Sequence, residues 1–403
     1  MFSFGLAELL ILGLLADGLF RRLGVPGLIG MLAVGLALGQ SGLDWIDPKL
    51  LALSGDLRQM ALVVILLRVG FGLNLGTLRR VGRRVLLLAW IPAALEGLTI
   101  SLVAQPLLGL SWLEAGLLGS VIAAVSPAVV VPLMLRLIEQ RRGTAKAIPQ
   151  MVMAAASLDD IAVIVVNGVL LGVLAAQATV ALPLQLLRLP LGLLLGAAVG
   201  AALGWLLIRW IEHFRPQANR QVLLILALSL LLLRLQSSIN SLVPFTGLVA
   251  AIALGVLVLE LRPSLAQPIA AKLASIWVFA ELVLFTLVGA QVDLGVAWRS
   301  GLAGLAVLTI GLAVRCGAVL ACLAGSPLNA GERLFVTVAY IPKATVQAAI
   351  GAVPLMALQA AGLPTAPGEI ILAMAVLSIV TTAPLGAWLS SLVADRVLKP
   401  EAC

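Results

Sequence analysis

The sequence predicts an all-α polytopic membrane protein of about 13 transmembrane helices, with inverted repeats and two crossed, proline-broken helices. Three observations predict it. Hydrophobic residues make up 62% of the 403 residues, charged residues only 11%, and mean hydropathy is +1.16, where a soluble domain carries about 25% charged residues. The apolar residues fall into separate runs, each near the ~20 residues that a helix needs to cross the hydrocarbon. Two of these runs carry proline near the middle, with ionisable residues at matching depth.

In order, the runs cover residues 4–20, 24–40, 57–75, 84–108, 112–137, 147–175, 184–211, 221–236, 244–261, 271–293, 299–324, 332–357 and 369–396. The N-terminus has no basic region before its apolar run, so that run is expected to be the first span and not a signal peptide. The charge of +8 points to topology and not to nucleic acid, because the basic residues sit in short loops. Eighteen of the 26 Lys and Arg occupy one alternating set of loops, among them Arg21, Arg22, Arg79, Arg80, Arg141, Arg142 and Lys399. The other set has Lys49, Arg58, Arg299 and, nearby, Arg234. Lysine and arginine concentrate on the cytoplasmic side, so the N-terminus is expected outside and the C-terminus in the cytoplasm. A bacterial-type inner (plasma) membrane is the expected location. Cys316, Cys322 and Cys403 have no metal-binding or disulfide spacing. The single histidine, His213, is expected in a charged loop.

The informative residues are the ionisable ones inside the runs: Glu96, Asp159, Asp160, Arg315 and Lys343, with Arg68 set apart as a structural pair or packing residue and Arg188 near a helix end. A charge at mid-bilayer costs at least about 3 kcal/mol and marks an ion or proton pathway. Counted at 1.5 Å per residue, Asp159 and Glu96 lie roughly 18 Å in from the cytoplasmic end, Lys343 about 16 Å, Pro127 about 15 Å and Arg315 about 14 Å. All five depths fall near one plane.

The pattern also repeats. The fourth to sixth runs carry Glu96, Ser126-Pro127 and Asp159-Asp160. The eleventh to thirteenth carry Arg315, Ile341-Pro342-Lys343 and Thr381-Thr382-Ala383-Pro384. Partners are seven runs apart, an odd number, so the second trio runs inverted. Interrupted helices at matching places in inverted halves point to a transporter site.

Proline lacks an N–H, so Pro127 and Pro342 should free the carbonyls of Ala123 and Val338. Ser126, Thr345 and the carboxylates of Asp159 or Asp160 add oxygen. Adjacent helix residues point about 100° apart, so one Asp should face the crossing and the other a neighbouring charge or cavity; which is which stays open. Glu96 should pair with Arg315 or Lys343. Three acidic groups against two basic ones leave one negative charge, which one proton or one monovalent cation would neutralise.

Ala-Val-Ser-Pro-Ala-Val-Val-Val-Pro, Met-Ala-Ala-Ala-Ser-Leu-Asp-Asp-Ile, Val-Arg-Cys, Ile-Pro-Lys-Ala-Thr-Val-Gln-Ala and Arg68-Val-Gly-Phe-Gly-Leu resemble the NHA-type sodium/proton antiporters, the 9B subfamily of sodium/hydrogen exchangers. The resemblance implies Na+ (or Li+) for H+ exchange by an elevator mechanism, with no cofactor beyond the transported ions. It implies a homodimer in the bilayer. Residues 1–83 and 221–293 would form the dimerisation domain, 84–175 and 294–403 the ion-transporting core, and 176–220 a linker helix. By the same resemblance Asp159 and Asp160 are the ion- and proton-binding pair, and Arg315, Lys343 and Glu96 balance charge; Ser126, Pro127 and Thr345 are expected at the crossing from their own chemistry. Asn74 departs from the acidic residue the pattern implies. Because Arg does not release a proton in proteins, Arg315 implies electroneutral exchange.

Three other readings remain. K+ in place of Na+ is chemically close, and an ion-coupled symporter would need a larger polar pocket. An intramembrane aspartyl protease also uses two buried Asp, but they must meet across a gap to share a proton, which adjacent residues on one helix do not.

Overall fold

The computed structural model describes residues 2–72, 82–175, 182–239 and 245–398. Asn74, Arg79, Arg80, Lys399, Cys403 and the side chain of Arg188 lie outside the described residues. Among those described, all regular structure is helical: α1 (Phe2–Arg22), α2 (Gly27–Leu38), α3 (Pro48–Ala52), α4 (Ser54–Gly72), α5 (Arg83–Leu108), α6 (Trp112–Ile122), α7 (Pro127–Glu139), α8 (Ile148–Ala175) and α9 (Leu182–Phe214). These are followed by α10 (Ala218–Ile239), α11 (Gly247–Leu261), α12 (Pro263–Ala290), α13 (Leu294–Cys322), α14 (Ala330–Ala339), α15 (Thr345–Ile350), α16 (Val353–Ala360) and α17 (Ala366–Val397).

Seven of these helices are long and apolar enough to cross a membrane by length and composition. Only 33–67% of each apolar window is buried within the protein. Large apolar side chains such as Trp90, Leu98, Leu102, Trp298, Leu302 and Trp388 are exposed. An apolar surface of this extent is stable against lipid and not against water. The chain is a multi-pass membrane protein.

The helices pack as two groups. In one, α5 lies against α6, α8 and α13, and α17 against α13, α14 and α6. In the other, α12 packs on α2 and α4, α11 on α4, α9 and α10, and α1 on α2. Small residues permit the closest approaches, as in membrane helix pairs generally: a Cβ on Gly35 of α2 or Gly289 of α12 would collide with the facing backbone. Between the groups, α4 meets α15 and α8 meets α11.

Two expected loop positions are corrected. His213 belongs to the last turn of α9, because the apolar run continues helically through the charged residues. Arg58 is buried in α4, where Nε donates to Ser54 O (3.2 Å) and Nη2 to Met356 Sδ (3.2 Å). Arg68 is a packing residue, its guanidinium 5.4 Å from the Trp277 ring centroid.

Candidate functional site: a crossing of two broken helices

The two runs expected to be broken at proline, 112–137 and 332–357, are interrupted where the sequence interrupts them. Ser111 caps the start of α6 in a reciprocal capping box with Glu114, and the helix stops at Ile122. Residues 123–126 then run non-helically until Pro127 opens α7 at its first position, where a missing N–H costs nothing. In the second pair, Asn329 and Glu332 form the capping box of α14. That helix stops at Ala339, and α15 resumes at Thr345 after Pro342.

The two breaks cross in antiparallel sense. Ser126 N donates to Pro342 O (2.8 Å). Ser126 Oγ accepts from Thr345 N (3.3 Å) and lies 3.4 Å from Thr345 Oγ1. Gln347 Nε2 donates to Ala124 O (2.9 Å) and Ile122 O (3.3 Å). From α17, Thr382 Oγ1 accepts from Lys343 N (2.9 Å), and Gly386 leaves room for the Pro342 ring.

Four of the predicted charges meet at this crossing, all fully buried. Arg315 Nη2 donates to Asp159 Oδ2 (2.6 Å), and Nη1 to Glu96 Oε2 (2.5 Å) and to Ala123 O. Lys343 Nζ donates to the same Glu96 Oε2 (2.6 Å). Glu96 therefore pairs with both basic residues, where the sequence required only one. Val125 N adds a hydrogen bond to Asp159 Oδ2 (2.9 Å).

The two aspartates differ in their neighbours. Asp159 faces Arg315 and the crossing. Asp160, 1% exposed, has no hydrogen-bond partner on either oxygen. It opens on a small cavity lined by Leu62, Ile65, Leu66, Val69, Ile164, Val346 and Ala349. The cavity lies where α4 meets α8 and α15. A carboxylate buried among apolar side chains with no hydrogen-bond donor is unstable when ionised, and a bound proton or a small cation relieves it.

The expectation of free carbonyls at the breaks is not met. Ala123 O accepts from Arg315, and Val338 O accepts from Ile341 N (3.1 Å). Removing a proline N–H empties a carbonyl only until another donor reaches it, and here donors do. Sequence reasoning also missed two members of the site. Gln347 was present in the Pro-Lys-Ala-Thr-Val-Gln motif as an amide in an apolar run. Tyr340, the only tyrosine of the chain, stacks its ring 5.4 Å from the Arg315 guanidinium. A buried Asn167–Ser120 hydrogen bond (2.9 Å) joins α8 to α6 two turns beyond Asp160.

Comparison with known proteins bears on the family. Residues 7–394 match the family model described as sodium/hydrogen exchanger, transmembrane. The chain is 34% identical over 387 residues to human sodium/hydrogen exchanger 9B2, covering 93% of this chain and 70% of that protein. It is 28% identical over 388 residues to human sodium/hydrogen exchanger 9B1, covering 93% and 73%. The structure of the sodium proton antiporter MjNhaP1 from Methanocaldococcus jannaschii at pH 8 superimposes with a TM-score of 0.87 over 98% of each chain, at 22% identity, which shows a shared fold. With the family model matching nearly the whole chain and the crossed, broken helices in place, the protein belongs to the sodium/hydrogen exchanger family.

Proposed function

We propose that the protein is a secondary active transporter that exchanges Na+ or Li+ for H+ across a cell membrane by elevator-type alternating access, one ion for one proton. The observation that carries this reading is the inequality of Asp159 and Asp160. Asp159 is neutralised by Arg315, while Asp160 is buried with two unpartnered oxygens. Glu96, Asp159 and Asp160 carry −3 and Arg315 with Lys343 carry +2, so the cluster lacks one positive charge. A proton on Asp160 supplies it in one half-cycle, and a dehydrated alkali cation on the Asp160 and Asp159 oxygens, with Ser126 and Thr345 nearby, supplies it in the other. Both half-cycles then move a neutral cluster, which is what a low-dielectric passage requires. The sodium/hydrogen exchanger names of the relatives support Na+ as cargo.

The moving part in this proposal is the core, residues 84–175 and 294–403. Ties at one end hold it together: Arg142 to Asp395 Oδ1 (2.8 Å) and Leu398 O (2.7 Å), Lys146 to Glu332 (2.7 Å), and Arg84 to Gly325 O (3.0 Å). The apolar lining around Asp160 lets that body slide against α4 without breaking ion pairs. Residues 1–83 and 221–293 act as the fixed, dimerising scaffold, with 176–220 as the link. The N-terminus lies outside and the C-terminus in the cytoplasm of a plasma membrane.

Purified protein in proteoliposomes with an interior pH dye tests the reading. Na+ and Li+ gradients should drive proton movement, with K+ far weaker, and Asp160→Asn should abolish it. Undiminished exchange in a folded Asp160→Asn variant would overturn it. Proton movement indifferent to membrane potential is expected; a transport current reversing where two protons accompany each cation would reject the one-for-one cycle.

A further inference from the structure

Gln347 is fully buried in the first turn of α15, and neither the charge cluster nor its ion pairs account for it. Its two amide hydrogens are committed to Ile122 O, at the end of α6, and to Ala124 O, in the break that follows. Arg315 holds Ala123 O between them. Three successive carbonyls at the broken end are thus engaged by side chains. Side-chain oxygens at the crossing are also available to ligate a cation. The buried ones without a hydrogen-bond partner are Asp160 Oδ1 and Oδ2, Asp159 Oδ1, Glu96 Oε1, Gln347 Oε1 and Tyr340 Oη. Four belong to carboxylates. Gln347 Oε1 and Tyr340 Oη are the neutral ones, and of these two the amide oxygen is purely an acceptor.

A buried amide oxygen with no donor is costly, and this one is fixed in place because its own NH2 is bonded on both hydrogens. Neutrality has a chemical consequence. A carboxylate oxygen attracts a proton and a metal ion alike, whereas an amide oxygen ligates a hard cation but takes up no proton near neutral pH. We propose that Gln347 is a cation-coordinating residue that sets ion preference: Oε1 completes the oxygen shell of the ion held at Asp160, and the amide NH2 holds that oxygen in position by bridging Ile122 and Ala124. It strengthens cation binding without strengthening proton binding, and so biases the competition at Asp160. This inference rests on the proposed cation/proton exchange.

The test compares Gln347→Met, of similar length but without polar atoms, with wild type in proteoliposomes at fixed pH, measuring KM and kcat for Na+ and Li+. The KM for Na+ should rise about tenfold, a loss of ~1.4 kcal/mol in binding, with kcat little changed. The KM for Li+ should rise less, because the smaller ion is satisfied by fewer oxygens. Equal loss of kcat for both ions at an unchanged KM ratio would mean a brace only and would overturn the proposal. Gln347→Asn, which keeps the amide and withdraws it by one methylene, covers the case in which Gln347→Met does not fold. It should shift the Na+ to Li+ KM ratio in the same direction, and an unchanged ratio contradicts the proposal. Wild-type protein without cation-driven exchange would sink the exchange reading and this inference together. Wild-type exchange with an unchanged ratio in the variants sinks this inference alone.

Discussion

Asp159 and Asp160 are adjacent on α8, yet about 100° of helical rotation gives one a guanidinium and the other an apolar cavity. Their stabilities to substitution should differ accordingly. Asp159→Asn leaves Arg315 with one carboxylate fewer and should destabilise the protein by about 3 kcal/mol, the usual cost of breaking a buried pair. Asp160→Asn removes an unpartnered buried charge and should melt at or above the wild-type temperature. Thermal melting of both variants in the same detergent checks this, and equal losses would contradict the assignment. Glu96 Oε2 accepts from both Arg315 and Lys343, so Glu96→Gln should cost about 3–5 kcal/mol. Adding Lys343→Met should recover part of that loss in a double-mutant cycle, whereas additive losses would argue against a shared pair. The identity of these residues was legible in the sequence because charge in an apolar run is conspicuous. Their pairing was not, since side-chain direction depends on which helices cross, and the crossing is a long-range property.

At the scale of elements, the two broken helices are held to each other by backbone, hydroxyl and amide contacts, in addition to the ion pairs. Ser126 bridges to Pro342 and Thr345, Gln347 to Ile122 and Ala124, and Thr382 caps Lys343 N. Pro127 and Pro342 marked both breaks, but proline alone does not end a helix here, since Pro92, Pro106 and Pro384 sit inside unbroken helices. What fills the exposed ladder ends could not be read, and the expectation of free carbonyls failed at Ala123 and Val338 for that reason. The close approach of α17 makes its own prediction. A side chain at Gly386 would enter the Pro342 ring, so Gly386→Val should displace the crossing and lower transport at least tenfold, an effect of ~1.4 kcal/mol or more on the barrier. Gly168→Val on α8, where nothing lies within 4 Å of a Cβ, is the control and should leave transport near wild type. Equal transport by both variants would mean that the α17 contact does not hold the crossing.

For the whole molecule, the apolar surface and the alternating runs made the membrane class evident, and the inverted spacing of the prolines made the repeat evident. The division into two packed groups of helices depends on which apolar faces meet, which periodicity alone does not specify when all sides of a helix are apolar. If the core slides against the scaffold, fixing α4 to α15 should stop it. A cysteine pair at Ile65 and Val346, both lining the Asp160 cavity, is expected to lose transport on oxidation and regain it on reduction. Full transport while cross-linked would rule out sliding at this surface.

The account stands on one competition, a proton and an alkali cation for the Asp160 carboxyl. Adding Na+ to weakly buffered, detergent-solubilised protein and recording released protons with an indicator measures it without any membrane. The account predicts close to one proton released per Na+ bound, and none from Asp160→Asn. Sodium binding with no proton release, or release that persists in Asp160→Asn, would contradict it.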